Sequence, residues 1–440
     1  MKKSGRGKKL IRLLTLVLVM AFTMSACASK NLEQNKLPEN SPAKNDSTSN
    51  ESGAEKLNSE GQKEPDKTTE DQSNSGQTQN DPGKSGDGSS NEQAKSDNKP
   101  KQVKARAVYL TGWSAGNMAK LQKIIDLSKT TELNAVVIDI KDDDGKVGYD
   151  TGIKEVKDIG AWEKKYDVDK AIKVLHENNI YVIGRLVCFK DPILANKRLD
   201  LAYKSVNGGV WRDNKGRAWV NPMNKDSWTY ITNIAKEAAD KGFDEIQYDY
   251  IRFPNGGDGG NVKLIDFGKD FDPNTKSDII AEFLKTSMKE IHEGKGINLS
   301  ADLFAIAAVG TADDKTLGQN WEKMCADVDY ICPMAYPSHY ALGQEIRGVT
   351  FAKPDLEPHK VVYETLMSGK DRLDKVEHKA KIRAYLQAFT APWIGKGNWQ
   401  KYGVQQIKDQ IKAVYDAGYE EWILWSPENV YPDEIFEKKK

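Results

Sequence analysis

The sequence GFDEIQYDYIRFP at residues 242–254 shows how the folded part of this chain is built. Apolar and polar residues alternate along it, which is typical of a strand whose two faces meet different surroundings. Ile246 and Tyr248 share one face, whereas Gln247 and Asp249 share the other. Because apolar side chains suit packing against helices, we expect the polar face to point into a barrel, with Asp249 at its mouth.

Seven other short apolar runs lie before and after this one, and segments with a helical spacing of apolar residues separate them. The runs cover residues 105–113, 135–140, 181–189, 299–307, 330–336, 382–389 and 422–425. This repeated alternation of strand and helix predicts an α/β protein with a single (β/α)8 TIM barrel over residues 103–436. An open doubly wound sheet is the alternative. We favour the closed barrel because Thr111-Gly112-Trp113 follows the first strand, where a glycine-rich phosphate loop would stand in the open sheet.

The chain begins with a basic segment and then an apolar one. The apolar run at residues 13–22 is too short to cross about 30 Å of hydrocarbon comfortably, so residues 1–27 are predicted to be a signal peptide. Its end, Met24-Ser25-Ala26-Cys27, resembles the lipobox at which bacteria cleave and acylate the cysteine. We therefore expect Cys27 to anchor an extracytoplasmic protein to the bacterial cell membrane. A plain signal peptide, which would release the protein, is the alternative.

The polar stretch that follows lacks the residues needed for a core. Between residues 41 and 100 the only apolar side chains are Leu57 and three alanines, and no aromatic residue occurs. Such a composition cannot bury enough apolar surface to offset the conformational entropy lost on folding. Residues 28–102 are therefore predicted to be a disordered linker between the anchor and the barrel.

The composition also narrows the choice of partners. The chain has 65 basic and 65 acidic residues, and this balance argues against binding to nucleic acid. Its histidines show no HExxH or His-x-His spacing and its cysteines show no CxxC spacing, so we expect neither a metal nor a cofactor. Cys188, Cys325 and Cys332 are predicted to be buried thiols, with one disulfide left open. We expect a monomer that binds a polysaccharide or an oligosaccharide.

Acidic side chains at the ends of three predicted strands are candidates for catalysis. Asp302 ends the fifth strand with the alternation that also turns Asp249 inward, and Asp139 ends the second strand. Neighbouring strands lie about 4.8 Å apart, so Asp249 and Asp302 could approach the roughly 5 to 5.5 Å of retaining glycosidases or the roughly 6.5 to 9.5 Å of inverting ones. Asp139 suits the wider separation. We assign Asp249 as nucleophile or electrostatic partner and Asp302 as proton donor. The alternative is that these aspartates cap loops or pair with Arg185 and Arg252.

Residue types that bind sugars lie at strand ends or in the loops that follow them. Aromatic rings can stack on the apolar faces of pyranoses, and amide or guanidinium groups can form hydrogen bonds with hydroxyl groups or anionic substituents. The predicted substrate contacts are Trp113, Arg185, Asn221, Gln247, Arg252, Tyr336, Gln387 and Trp425.

Several motifs in barrel order resemble those of one known family. They are IDIKDD at residues 138–143, Asn221-Pro222, DYIRFP at 249–254 and MAYP at 334–337. Together they resemble the glycoside hydrolase-like family known as DUF4015, and the resemblance implies a TIM barrel with a carbohydrate-directed role. The fourth strand also resembles the DxxDxDxE motif of chitinase-type barrels at Asp244 and Asp249. Gln247 and Ile251 replace its second acid and its catalytic Glu, which argues against a chitinase mechanism.

Glycosidic cleavage needs one carboxyl group that donates a proton and one that stays ionised. The sequence therefore predicts a glycosidase that cleaves O-glycosidic bonds of a cell-surface or environmental polysaccharide by a two-carboxylate mechanism. A carbohydrate-binding barrel of the cell envelope, without turnover, is the alternative.

Overall fold

The computed structural model describes residues 100–255 and 261–439. The predicted signal peptide, Cys27 and all but the end of the predicted linker lie outside the described residues. Within the described ranges, every helix is too short or too polar to cross a bilayer.

Eight parallel strands form a closed ring. They are β1 (Arg106–Leu110), β2 (Ala135–Lys141), β3 (Tyr181–Val187), β4 (Glu245–Asp249), β5 (Asn298–Phe304), β6 (Tyr330–Met334), β7 (Ala384–Gln387) and β8 (Trp422–Trp425). β1 pairs with both β2 and β8, and the pairings of β6 with β5 and β7 complete the circle. The predicted (β/α)8 barrel is confirmed. The doubly wound alternative is wrong, because an open sheet would leave two unpaired edges.

Helices surround the ring and connect successive strands. They are α1 (Met118–Thr130), α2 (Val168–Glu177), α3 (Lys225–Asp240), α4 (Lys276–Met288), α5 (Trp321–Ala326), α6 (Pro358–Leu373) and α7 (Val404–Asp416). α1 begins after Asn117, whose side chain accepts the backbone N–H of Ala119 at 3.0 Å and so satisfies a donor that the helix leaves unpaired. In α2, Ala171, Ile172 and Leu175 lie at helical spacing and are buried.

Short elements lie within the loops. They comprise the helices Gly112–Ala115, Lys154–Asp158, Pro192–Lys197, Ile306–Val309 and Ala312–Thr316, a two-residue strand Lys381–Ile382 beside β6, and the antiparallel pairs Lys204–Ser205 with Ile265–Asp266 and Gln344–Ile346 with Val349–Phe351. The long loops at the carboxyl ends of the strands leave room for a site at the barrel mouth.

The barrel interior is charged at the end where the strands begin. We call Tyr181, Glu245, Tyr330, Arg383 and Glu421 the floor cluster. Arg383 donates from Nη1 to Glu245 Oε1 at 2.7 Å and from Nε to Glu421 Oε2 at 2.9 Å. Its guanidinium carbon lies 3.8 Å from the ring centre of Tyr330. Burial raises the pKa of Glu245, and the charge of Arg383 opposes that shift. The floor cluster therefore holds two acids around one base, with Arg383 and Glu245 fully buried and Glu421 8% exposed.

The three cysteines of the barrel are buried and unpaired. Cys332 lies inside the ring on β6, Cys188 follows β3, and Cys325 lies on α5. Burial raises the pKa of each thiol well above its usual value. The prediction of buried thiols is confirmed, and the disulfide that the sequence left open does not form among these three.

Candidate active site

Strand register brings the predicted acids to the same end of the barrel. Asp139 lies opposite Arg185 across β2 and β3. Gln247 lies opposite Ser300 across β4 and β5, and Asp249 and Asp302 each follow two residues later on the same faces of those strands. All three aspartates therefore point inward at the mouth, where they are 5%, 6% and 1% exposed in chain order.

One guanidinium joins two of these acids. Arg185 donates from Nη1 to Asp139 Oδ1 at 2.8 Å, and from Nε and Nη2 to Asp249 Oδ2 at 2.9 and 2.5 Å. Hydrogen bonds from a cation to a carboxylate favour the ionised carboxylate. Pairing with Arg185, which the sequence left as an alternative, thus occurs for both acids. The same pairing occupies Nε, Nη1 and Nη2 of Arg185, the nitrogens that were expected to donate hydrogen bonds to substrate.

The backbone turns sharply just after Asp249. Tyr250 has φ 52°, the left-handed region that bulky side chains avoid at a cost of roughly 1 to 3 kcal/mol. Its N–H donates to Asp249 Oδ1 at 2.6 Å, so both carboxylate oxygens have donors. Lys190 donates to the Tyr250 hydroxyl at 3.1 Å and lies 4.3 Å from the ring centre, while Trp219 meets the ring edge-on at 5.9 Å. These contacts hold the strained residue that orients Asp249.

Burial shifts the pKa of the other two acids upward. Burial raises the pKa of Asp139 to about 6, although hydrogen bonds from Arg185 and from the Tyr109 hydroxyl, at 2.7 Å, oppose the shift. Burial raises the pKa of Asp302 well above its usual value, and the negative charge of Asp249 adds to the effect. Asp302 Oδ1 has no hydrogen-bond partner within the described residues. The site therefore combines one carboxyl group paired with a cation and a neighbouring carboxyl group whose pKa is raised.

Aromatic rings line the mouth next to the acids. Trp425 stacks on Tyr109 with ring centres 5.9 Å apart, and it lies 6.2 Å from Tyr336 and 5.4 Å from Phe389. Tyr336 and Trp425 thus lie beside the acids, as expected for substrate contacts. Trp113 is in the loop after β1 and is 59% exposed, so its ring is open to a ligand. Tyr109 and Phe389, which complete the cluster, were not among the predicted site residues.

Two predicted contacts, Gln247 and Gln387, are fully buried with partners inside the protein. Gln247 accepts the Tyr385 hydroxyl at 2.5 Å and donates to Cys332 Sγ at 3.3 Å, one layer below the acids. Gln387 donates to Asp355 Oδ1 at 3.0 Å. The expectation that these amides face a ligand is corrected, because their hydrogen bonds are satisfied in the interior.

Asn221 and Arg252 have local partners as well. The Asn221 side chain accepts the N–H of Met223 at 3.0 Å in the turn before α3. Arg252 is buried, donates to the carbonyl of Phe253 at 3.1 Å, and its guanidinium carbon lies 5.1 Å from the ring centre of Trp219. These contacts give both residues a structural role in the loops around the mouth. Across the described ranges, acidic, histidine and cysteine side chains do not gather into a group that could hold a metal ion.

The family of the chain follows from its sequence match over the barrel. Residues 107–431 match DUF4015, which is described as a "putative glycosyl hydrolase domain". The chain belongs to the DUF4015 family. The resemblance seen in the motifs is thereby confirmed, and a glycosyl hydrolase-like domain implies a carbohydrate substrate.

Solved structures similar to this DUF4015 protein include a hypothetical protein from Ruminiclostridium thermocellum ATCC 27405. It is 54% identical over 44% of this chain and 96% of that chain, with a TM-score of 0.41. The PgaB (BpsB) glycoside hydrolase domain from Bordetella bronchiseptica is 13% identical over 76% of this chain and 99% of that domain, with a TM-score of 0.55, and it shares the fold. A comparison with curated proteins gives no match.

Proposed function

We propose that this DUF4015 protein is an extracytoplasmic glycoside hydrolase that cleaves O-glycosidic bonds of a cell-surface or environmental polysaccharide. One observation carries the proposal: Asp249, whose carboxyl group accepts two hydrogen bonds from Arg185, lies on the strand beside Asp302, a buried carboxyl group with a raised pKa. Paired carboxyl groups with opposite protonation are what glycosidic cleavage requires.

In the proposed mechanism, Asp302 gives its proton to the leaving oxygen as the glycosidic bond breaks. Asp249 stabilises the positive charge that develops on the sugar, either by attacking its anomeric carbon or as an electrostatic partner. Arg185 and the N–H of Tyr250 hold Asp249 in place for this role. Asp302, now ionised, then takes a proton from a water molecule as the water oxygen bonds to the anomeric carbon. This step breaks the bond to Asp249 where one has formed, releases the sugar and restores both groups. Adjacent strands suit the shorter separation of retaining enzymes.

The test is digestion of a library of bacterial and plant polysaccharides by the full chain, with products analysed by mass spectrometry. We expect shortened oligosaccharides from at least one polymer. The proposal fails if every polymer stays intact at an enzyme concentration that saturates binding.

A second function, glycan binding without turnover, is favoured by the low exposure of the acids. Asp139, Asp249 and Asp302 are all at most 6% exposed, and Arg185 satisfies two of them internally. A barrel that only binds would retain a polysaccharide on an affinity gel and release no product from it after long incubation.

The pH dependence tests the assignment of the proton donor. Because a proton donor must be protonated and the pKa of Asp302 is raised, activity is expected to be high below that pKa and to fall as pH rises through it. Asp302→Asn is expected to lower kcat/KM about 10²-fold and to remove this alkaline decline. The measurement is kcat/KM from pH 4 to 9, with Asp226→Asn, an exposed position on α3, as control. If the alkaline decline vanishes only in Asp139→Asn, the donor is Asp139.

We further propose that Cys27 carries the lipid anchor. The basic head, the short apolar run and Met24-Ser25-Ala26-Cys27 support it. Cells fed a radiolabelled fatty acid are expected to label the wild-type protein and not Cys27→Ser. Equal labelling of the two proteins would exclude this cysteine as the acylation site.

A further inference from the structure

Two exposed side chains flank the aromatic cluster on the side of the mouth formed by the loops after β6 and β7. His339 ends the 3-10 turn Pro337–His339, and Trp393 lies in the turn Pro392–Ile394. Their ring centres lie 6.1 and 5.9 Å from that of Phe389, and Trp393 stacks on Phe389 with an interplanar angle of 13°. Both side chains are open to solvent. A flat ring and a polar group therefore both contact Phe389, which also contacts Trp425.

A buried network fixes this arrangement from below. Gln387 Oε1 accepts the N–H of Ser338 at 3.1 Å, while its Nε2 donates to Asp355 Oδ1 and to the carbonyl of Phe389, both at 3.0 Å. One amide thus sets the backbone on both sides of the pair, which explains why a glutamine lies fully buried at the end of β7. A site that is rigid before binding loses less entropy when a ligand arrives.

The imidazole of His339 is oriented as well. Its Nδ1 lies 3.0 Å from the Ser338 hydroxyl, and its Nε2 has no partner within the described residues. Nearby protein lowers the pKa of the exposed ring below its usual value, so the imidazole is neutral at pH 7. A neutral imidazole nitrogen can donate to or accept from a sugar hydroxyl group, depending on its tautomer.

We propose that His339 and Trp393, with Trp425 beside them, form a subsite for a pyranose ring at the edge of the mouth. Trp393 stacks on the apolar face of the sugar, and His339 Nε2 forms a hydrogen bond with a hydroxyl group on the ring edge. The subsite deepens the proposed function, since it holds a sugar unit of the same polysaccharide away from the acids. It implies a substrate of several sugar units.

Binding by an inactive full-length chain tests the subsite separately from catalysis. In an Asp249→Asn background, isothermal titration is carried out with the β-1,4-linked tetrasaccharides of glucose, N-acetylglucosamine, mannose and xylose. His339→Ala and Trp393→Ala are each expected to weaken the tightest binding about tenfold. Trp393→Phe, which keeps a flat ring, should restore most of the affinity. His378→Ala, at an exposed histidine near α6 and away from the mouth, is the matched control.

The subsite is refuted if both alanine variants bind within twofold of the parent, or if the parent binds none of the four sugars. If the variants lose binding and the wild type hydrolyses none of the polysaccharides, the subsite is supported and the hydrolase is rejected. If the wild type hydrolyses a polysaccharide and the variants bind as tightly as the parent, the hydrolase is supported and the subsite is rejected.

Discussion

Asp249→Asn is expected to reduce kcat roughly 10³- to 10⁴-fold while the protein stays folded. Asparagine has nearly the shape of aspartate and can still accept the N–H of Tyr250. It lacks the negative charge that Arg185 now holds in place beside Asp302. Without that charge, the positive charge that develops on the sugar in the transition state has no counterpart on that face. The measurement is initial rates on the polymer that the library digestion identifies.

Asp270→Asn is the matched control, because Asp270 is exposed in the loop after β4. It should retain the wild-type rate. Thermal unfolding of both variants shows whether lost activity reflects lost structure. Near-wild-type hydrolysis by folded Asp249→Asn would reject the role given to Asp249 and leave only the fold.

Arg383→Met is expected to lower the free energy of unfolding by about 3 to 5 kcal/mol, the usual cost of removing one member of a buried ion pair. Arg383 and Glu245 are both 0% exposed, so no water can replace the lost guanidinium. Glu245 and Glu421 would then lie buried together without a cation. Urea unfolding followed by tryptophan fluorescence measures the loss.

A second variant separates lost charge pairing from lost packing. Arg383→Met with Glu245→Gln should recover part of the stability, since the glutamine carries no charge to bury. Because burial raises the pKa of Glu245 and the variant lacks the cation that opposes this shift, the single variant should lose less stability at pH 5 than at pH 8. Arg347→Met, which breaks exposed pairs with Glu364 and Asp371, should cost less than about 1 kcal/mol. An equal loss from both arginines would contradict this account.

The barrel and its inward-facing residues could be predicted because strand side chains alternate strictly. The period of two in β4 identified Asp249 as inward, and the same rule identified Asp302 and Asp139. The alternation does not predict how far below the barrel mouth an inward side chain lies. Gln247 shares a face with Asp249 yet lies one layer lower, where Tyr385 and Cys332 occupy its hydrogen-bonding groups. Alternation predicts the direction of a side chain and not its distance from solvent.

The pairing of the acids with Arg185 remained one of two alternatives for a different reason. Arg185 was predicted to contact substrate or to pair with the aspartates, and the choice between the two depends on the stagger of β3 against β2 and β4. Loop positions were harder still, because local hydrogen bonds determine them. Asn221 closes a turn, and His339 is oriented by its neighbour Ser338. Neither contact follows from the spacing of apolar residues.

The unpaired cysteines provide built-in reporters of how the barrel opens. Cys332 lies inside the ring, whereas Cys325 lies in the helical layer around it. Buried thiols with raised pKa values react with alkylating reagents only when their surroundings separate. Pulsed alkylation followed by peptide mass analysis would therefore measure two opening rates separately. Alkylation of Cys325 reports on the outer helices and alkylation of Cys332 on the inner strands, and no cysteine has to be introduced.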